Sequence, residues 1–264
     1  MITSIHNPRI LAVRKLQSQV KTRREQAAFV IEGVRLAEEA WQAGWQAQQV
    51  LFTEQLDERG KALLGNYSIR GVPVEQVSET VMKAISATQS PQGILVVLKL
   101  QSPNIPTRPN FLLALDGVRD PGNLGTILRS AAAAGVQVVL LASGCVDAFS
   151  PKVVRAGMGA HFRLPILQLG RKGIIQFLET PGLNLRVYLA DSAEGIPYTQ
   201  ADWQSPLALI IGGEAGGAGA EALAIADEKV HIPMPGGSES LNAAVAASIL
   251  MFEVVRQRES ISPA

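Results

Sequence analysis

Short apolar runs alternate along this chain with longer stretches whose apolar positions recur every three or four residues. The first pattern marks strands and the second amphipathic helices. In the first hundred residues the pattern predicts strands at 29–32, 49–53 and 93–100. Helices are expected at 34–43, ended by Gly44, and at 78–85, capped by Ser78. Ahead of them, Asn7 and Pro8 make a cap and a first helical residue, with Ile10, Val13, Leu16 and Val20 as a weak apolar stripe behind. Residues 101–109, QSPNIPTRP, carry Pro103, Pro106 and Pro109 and no core-forming pattern, so they read as a linker between domains at 1–100 and 110–264. Past the linker the alternation resumes, with strands at 111–115, 138–141, 186–190, 207–211 and 229–232. The matching helices fall at 121–134, 151–158 and 173–178, after Gly219, and at the C-terminal end. Such an order implies a mostly parallel sheet with helices on both faces.

In parallel sheets of this kind the binding crevice lies beyond the carboxyl ends of the strands, and three loops qualify. One runs from Leu115 into the helix that carries Asn123 and Arg129. Those two residues lie about 1.7 turns apart, so they share a face only if the first turn is irregular. Another, Ile210 to Glu221, packs glycines around the single acid Glu214 and allows close backbone approach to a ligand. The last is the turn after Ile232, where Pro233, Pro235, Gly236 and Gly237 interrupt regular structure and leave amide groups free. Ser238 or Ser240 is expected to cap the following helix. Leu241, Val245, Ile249, Phe252 and Val255 are expected to form that helix's buried stripe.

Composition narrows the field. At 264 residues the chain can bury one large core or two ordinary ones without covalent staples. Its sole cysteine, Cys145, forbids an intrachain disulfide and reads as a small buried residue in a reducing compartment. No charged-then-apolar leader opens the chain, and the longest apolar run, 243–252, is far shorter than the ~20 residues that span a bilayer. A soluble, cytoplasmic protein is expected. The formal net charge of +1 favours no partner, but Met1 to Arg24 holds Arg9, Arg14, Lys15, Lys21, Arg23 and Arg24 and no acid. This arm either holds phosphates or is a solvated face, and the sequence leaves both readings open.

Familiar chemistries drop out. Neither a spaced G-x-G-x-x-G nor a phosphate loop G-x-x-x-x-G-K-[ST] is present, which argues against a dehydrogenase and an NTPase. His6, His161 and His231 are widely separated and lack a cysteine cluster, so no metal site is expected. The serines of the C-terminal turn have no histidine and acid at triad spacing.

The segments DPGNLGTILRSAAAAGV, VDAFSPKVVRAGMGAHFRLPI, IIGGEAGG and IPMPGGSESLNAAVAASILMFE resemble, in order, the motifs of the SpoU (TrmH-like) RNA ribose 2′-O-methyltransferases of the SPOUT superfamily. The likeness covers 111–258. FVIEGVRLAEEA and SATQSPQGILVVL resemble the small α/β substrate-binding module that many members carry. The resemblance implies an α/β fold whose C-terminal parallel sheet holds a deep trefoil knot, behind an RNA-binding domain. It implies S-adenosylmethionine as cofactor, RNA as substrate (ribosomal rather than transfer RNA), and a homodimer. Catalytic roles fall on Asn123, Arg129, Glu214, Ser240 and Asn242. Gly212, Ile232 and Leu241 would hold the cofactor by their backbone, with Leu189 and Ala190 at the adenine. One departure is visible, since many relatives have asparagine where this chain has Gly213. A non-catalytic RNA-binding or ribosome-associated protein is the competing reading.

Overall fold

The computed structural model describes residues 1–192, 194–213, 217 and 219–259. In chain order the elements are α1 (Pro8–Ser18), α2 (Val20–Gln26), β1 (Ala28–Glu32), α3 (Val34–Gln42), β2 (Ala47–Phe52), α4 (Glu58–Ile69), β3 (Val74–Gln76), α5 (Glu79–Ile85) and β4 (Ile94–Lys99). There follow β5 (Phe111–Asp116), α6 (Pro121–Ala133), β6 (Val138–Leu141), α7 (Pro151–Gly157), β7 (Ile166–Gln168), α8 (Arg171–Leu178), β8 (Arg186–Asp191), β9 (Ile196–Pro197), β10 (Leu207–Gly212), α9 (Ala220–Ile225), β11 (Glu228–His231) and α10 (Ala243–Glu259). They divide into two compact units. Met1–Gln101 together with Asp147–Phe162 forms one, and Ser102–Val146 with the residues from Arg163 onward forms the other.

The first unit is built on a four-stranded sheet in the order β1-β4-β2-β3. Its central strand β4 is apolar from Ile94 to Leu98 because both faces are covered. Ile94, Val96 and Leu98 enter a core with Phe29, Trp45 and Tyr67, while Leu95 and Val97 enter another with Ile10, Val13 and Met82. The parallel expectation fails here: β4 is antiparallel to both β1 and β2, and only β2 and β3 run parallel. Alternating strands and helices do not exclude a last strand that enters the sheet from the other end. The N-terminal start holds as read, since the Asn7 side chain accepts from the Arg9 amide at 2.9 Å. Much of the basic arm is consumed by the fold. Arg23 is buried and paired with Asp147 at 2.6 Å, and Arg9 pairs with Glu75. Arg14 and Lys15 stay exposed.

The second unit carries a seven-stranded sheet in the order β7-β6-β5-β10-β8-β11-β9, and every pairing in it is parallel. One face, with Leu112, Ala114, Leu140, Leu189 and Ile210, packs under α8 and α9 through Ile174, Leu178 and Ile225. On the other side α10 lies against α6 and β10.

Two expectations about α10 are overturned. Its first helical residue is Ala243, and Asn242 caps it, the side-chain oxygen accepting from the amides of Ala244 (2.9 Å) and Val245 (3.3 Å). Ser238 and Ser240 lie exposed in the preceding turn. The stripe is also misplaced, with only Ile249 and Val255 of its five residues half-buried. Leu241, Val245 and Phe252 are exposed at 37%, 48% and 47%, while Ala243, Ala244, Ala247, Leu250, Met251 and Val254 are buried. The start of this helix is apolar nearly all round, so period alone cannot choose the buried face. Packing chooses the alanines, whose small side chains admit a neighbouring helix.

Candidate active site

Because β5, β10, β8 and β11 run parallel in adjacent register, their carboxyl ends line up. Gly212 pairs with Asp116, Ile211 with Ala190, and Ala190 and Asp191 with Val230 and His231. The segments after residues 116, 191, 212 and 231 therefore leave from one end of the sheet. Those after residues 116, 212 and 231 are the three loops singled out from the sequence, and they gather because parallel strands present all their carboxyl ends together.

The loop after β5 is set by Asp120, whose carboxylate accepts from the Asn123 amide at 2.8 Å, and by Pro121 at the first helical position. Asn123 then meets the turn that follows β11: the Asn242 Nδ2 donates to Asn123 Oδ1 at 3.0 Å, across 119 residues of chain. Asn242 thus caps α10 with its oxygen and grips α6 with its nitrogen. A second tie, Ser248 Oγ to Ser130 Oγ at 2.8 Å, holds the same two helices. Helix α6 is continuous from Pro121 to Ala133, so Asn123 and Arg129 stand about 120° apart around it and do not share a face. Arg129 is exposed and, among the described residues, has neither hydrogen bond nor ion pair.

Glu214 lies outside the described residues. Its flanks are defined: Gly213 and Gly217 exchange backbone hydrogen bonds of 3.2 and 3.1 Å, closing the stem of the segment. The departure at Gly213 has a steric reason. A Cβ there would sit 2.5 Å from the carbonyl oxygen of Gly117, itself in left-handed conformation at φ +81. An asparagine would force the ends of β5 and β10 apart. A Cβ on Gly217, Gly236 or Gly237 would instead meet nothing within 4 Å among the described residues. Close glycine backbone on one side and open space on the other fit a ligand held largely by main-chain groups, as the cofactor implied by the motifs requires.

The remaining positions separate by exposure. Ser240 and Leu241 are exposed, and Gly212, Ile232 and Ala190 are half-buried. Leu189 is buried in the core beneath α8 and α9, with its backbone paired to β10 and β11, so only its main chain approaches the strand ends.

Sequence reasoning missed Asp116 and Arg171. The nearly buried Asp116 carboxylate accepts from the Gly219 amide at 2.9 Å and from Arg171 Nε at 3.1 Å. It fastens the far stem of the glycine-rich segment to the end of β5. The available signal was an acid ending an apolar strand, which cannot stay buried unpaired. Hydrogen bonding to Asp116, and then its charge, raise the Arg171 pKa above its ordinary value. Cys145 donates to the Leu115 carbonyl at 3.3 Å, and burial foremost pushes its thiol pKa up, which suits a structural residue better than a nucleophile. Among the described residues no group of three or more metal-binding side chains occurs.

Comparison with known proteins agrees with this geometry. Residues 110–252 match the SpoU rRNA Methylase family, and residues 7–96 match the MRM3-like substrate binding domain. The chain is 32% identical to the 23S rRNA (guanosine(2553)-2′-O)-methyltransferase RlmP of Bacillus subtilis, over 96% of this chain and 98% of that one. The crystal structure of an AdoMet-bound rRNA methyltransferase from Sinorhizobium meliloti superposes with a TM-score of 0.87 at 31% identity, covering 97% of both chains. The SpoU methyltransferase AviRb from Streptomyces viridochromogenes, in complex with AdoMet, gives the same TM-score at 27% identity, over 96% of this chain and 100% of that one. A mixed α/β fold with a parallel sheet, the ordered loops and a family match over more than half its length all lead to one conclusion: this chain belongs to the SpoU rRNA methylase family.

Proposed function

We propose that this protein is an S-adenosylmethionine-dependent methyltransferase that methylates a ribose 2′-hydroxyl of ribosomal RNA. The observation that carries the reading is the Asn242 to Asn123 hydrogen bond. It draws the motifs at the two ends of the second unit together at the carboxyl ends of the strands. RlmP, 32% identical over almost the whole chain, is named for this reaction on 23S rRNA.

S-adenosylmethionine, when bound, supplies a methyl carbon on a sulfonium, open to in-line displacement by an oxygen. The protein's share is placement and charge. Main-chain groups of Gly212, Ile232 and Leu241 hold the cofactor, with Ala190 and the backbone of Leu189 beside its adenine. Ser240, Glu214 and the Asn123–Asn242 pair orient the polar groups around it. Arg129 clamps the phosphate next to the acceptor nucleotide and stabilises the developing 2′-alkoxide. A guanidinium keeps its proton under ordinary conditions, so the ribose proton leaves to water. The exposure of Arg129 and its lack of a partner among the described residues support this role.

The finer architecture follows the same reading. The second unit holds a trefoil knot, supported by the interleaving of β5, β10, β8 and β11 and by the return of the chain from β11 to α6. Residues 1–100 act as an RNA-binding domain, supported by the substrate-binding match over 7–96. Two copies pair through an apolar surface formed by Val245 and Phe252 of α10 with Leu241 of the preceding turn, and Arg129 of one copy serves the cofactor of the other. The single cysteine and the bacterial relatives support a cytoplasmic enzyme.

A transfer assay with radiolabelled S-adenosylmethionine on unmodified ribosomal and transfer RNA tests the proposal. Label on a ribose 2′-oxygen of ribosomal RNA is expected. Label confined to transfer RNA would overturn the substrate, and absence of both transfer and cofactor binding would overturn the activity.

A further inference from the structure

The first unit contains a cavity of about 160 Å³. Its floor is apolar, formed by Val30, Ile31, Leu36, Val154 and Met158, from β1, α3 and the end of α7. Its polar edge is formed by Arg35, Thr88, Ser90, Gln92 and Arg155. For scale, a dry cavity of about 150 Å³ accepts a benzene ring, so this one admits a single flat heterocycle. We propose that it receives one unstacked nucleobase of the RNA substrate, with the adjoining phosphate held at the edge by Arg155 and the start of α3.

Several features fit that occupant. The loop at 86–88 is held rigid by the Glu32 carboxylate, which accepts from Ser86 Oγ (2.6 Å), Thr88 Oγ1 (2.7 Å) and the Ala87 amide (3.0 Å). Glu32 is thereby occupied, and its charge is spread over three donors. Arg155 is exposed and, among the described residues, donates only to the Ala87 carbonyl, at 3.3 Å, which steadies the guanidinium at the mouth and leaves further donors for an anion. Arg35 lines the same cavity and is tied loosely to Glu39 at 3.2 Å. Helix α3 begins at Val34 with Gly33 at its N-cap and no side-chain cap, so among the described residues its first amides, from Val34 to Leu36, have no side-chain acceptor. Gln92 is exposed, lies against Gly33 and makes no hydrogen bond among the described residues. A side-chain amide offers both donors and an acceptor, as the edge of a base requires. The thioether of Met158 adapts to a ring of either size. Unstacked bases in loops are the usual handle for specific RNA recognition.

The inference rests on the proposed methyl transfer to RNA and adds where the RNA is gripped. Its test uses the full-length protein, unmodified ribosomal RNA made by transcription, and free nucleoside monophosphates as a second probe. Ala87→Trp fills the mouth from an exposed position, Arg155→Ala removes the anion contact, and Arg155→Lys restores charge. Each variant is first matched to wild type in melting temperature and in cofactor affinity, a property of the other unit. Expected is a loss of RNA affinity of about tenfold for Ala87→Trp and Arg155→Ala, with partial recovery in Arg155→Lys. Turnover at saturating RNA is expected to be unchanged. Photocrosslinking of thio-substituted ribosomal RNA is expected to label the segments around Gln92 and Met158. Wild-type RNA affinity in both variants, while wild type still transfers methyl groups, overturns the pocket and leaves the enzyme standing. Failure of wild type to transfer methyl groups overturns the enzyme reading itself. Binding of a free monophosphate that both variants abolish, with RNA affinity untouched, overturns the strand-borne base in favour of a small-molecule ligand.

Discussion

Arg23 and Arg129 are the same residue put to opposite uses, and the two sheets explain why. In the first unit β4 runs against both of its neighbours, so no single end of the sheet collects the loops. Polar groups there serve assembly: Arg23 is buried against Asp147 and the carbonyl of Gln17 and ties α2 to a segment 124 residues away. In the second unit all strands point one way, and residues 119 apart in sequence meet at one end of the sheet. There Arg129 is left exposed and without a partner among the described residues. A mixed sheet spends its charges on holding itself together, whereas a parallel sheet can leave one idle where a substrate would come.

That contrast can be broken. The largest effect is expected at Arg129: replacement by lysine keeps the charge and loses the planar fork, and turnover should fall about 100-fold. Melting temperature and cofactor affinity should stay at wild-type values, and turnover near normal in that variant would remove the geometric role.

In the first unit the expected response is one of stability. His161 is fully buried, its Nε2 2.7 Å from the Ala148 carbonyl and its Nδ1 without a partner among the described residues. Burial pushes its pKa down to about 4, partly opposed by that carbonyl and by the charge of Asp147. On unfolding the group returns to an ordinary value near 6.5, so the unfolded chain takes up a proton first as pH falls. The contribution is therefore complete above about pH 6.5 and is lost between there and about pH 4, to a total on the order of 3 kcal/mol. Denaturant titrations across that range should show the loss, and His161→Asn should flatten it. An unchanged slope in that variant would assign the pH dependence elsewhere.

The smallest effect is expected for Asn242→Ala, about 1 kcal/mol, since it removes a helix cap and one exposed bridge. Cofactor affinity should fall with it, because the turn loses its hold on α6. If stability drops while cofactor affinity does not, the Asn123 contact is structural alone.

The strand and helix alternation carried much of the second unit, because buried parallel strands such as FLLALD and LALIIG are apolar throughout and end at glycine or acid. The loops of the site were legible for the same reason. What periodicity could not decide was the inward face of α10, where apolar residues surround the helix and only the fit of Ala243, Ala244 and Ala247 against neighbours selects one side. Caps were legible where a polar residue directly precedes a helix, as at Asn7 and Ser78, and misread where several polar residues compete, as at 238–242. Short or polar elements such as α2, β3 and β9 carry too few apolar positions to register. Asp116 escaped notice because its partners, Arg171 and Gly219, lie 55 and 103 residues away.

The placement of α7 bears on how the polypeptide comes together during its synthesis. The N-terminal body lacks Val154 and Phe162 from its core, and the carboxylate that neutralises Arg23, until Asp147–Phe162 has been made. By then the first strands of the other body, β5 and β6, already exist. The earlier body is thus completed by material delivered late, and cleavage within 101–109 would not set it loose, because the backbone joins the two bodies again on either side of Asp147–Phe162.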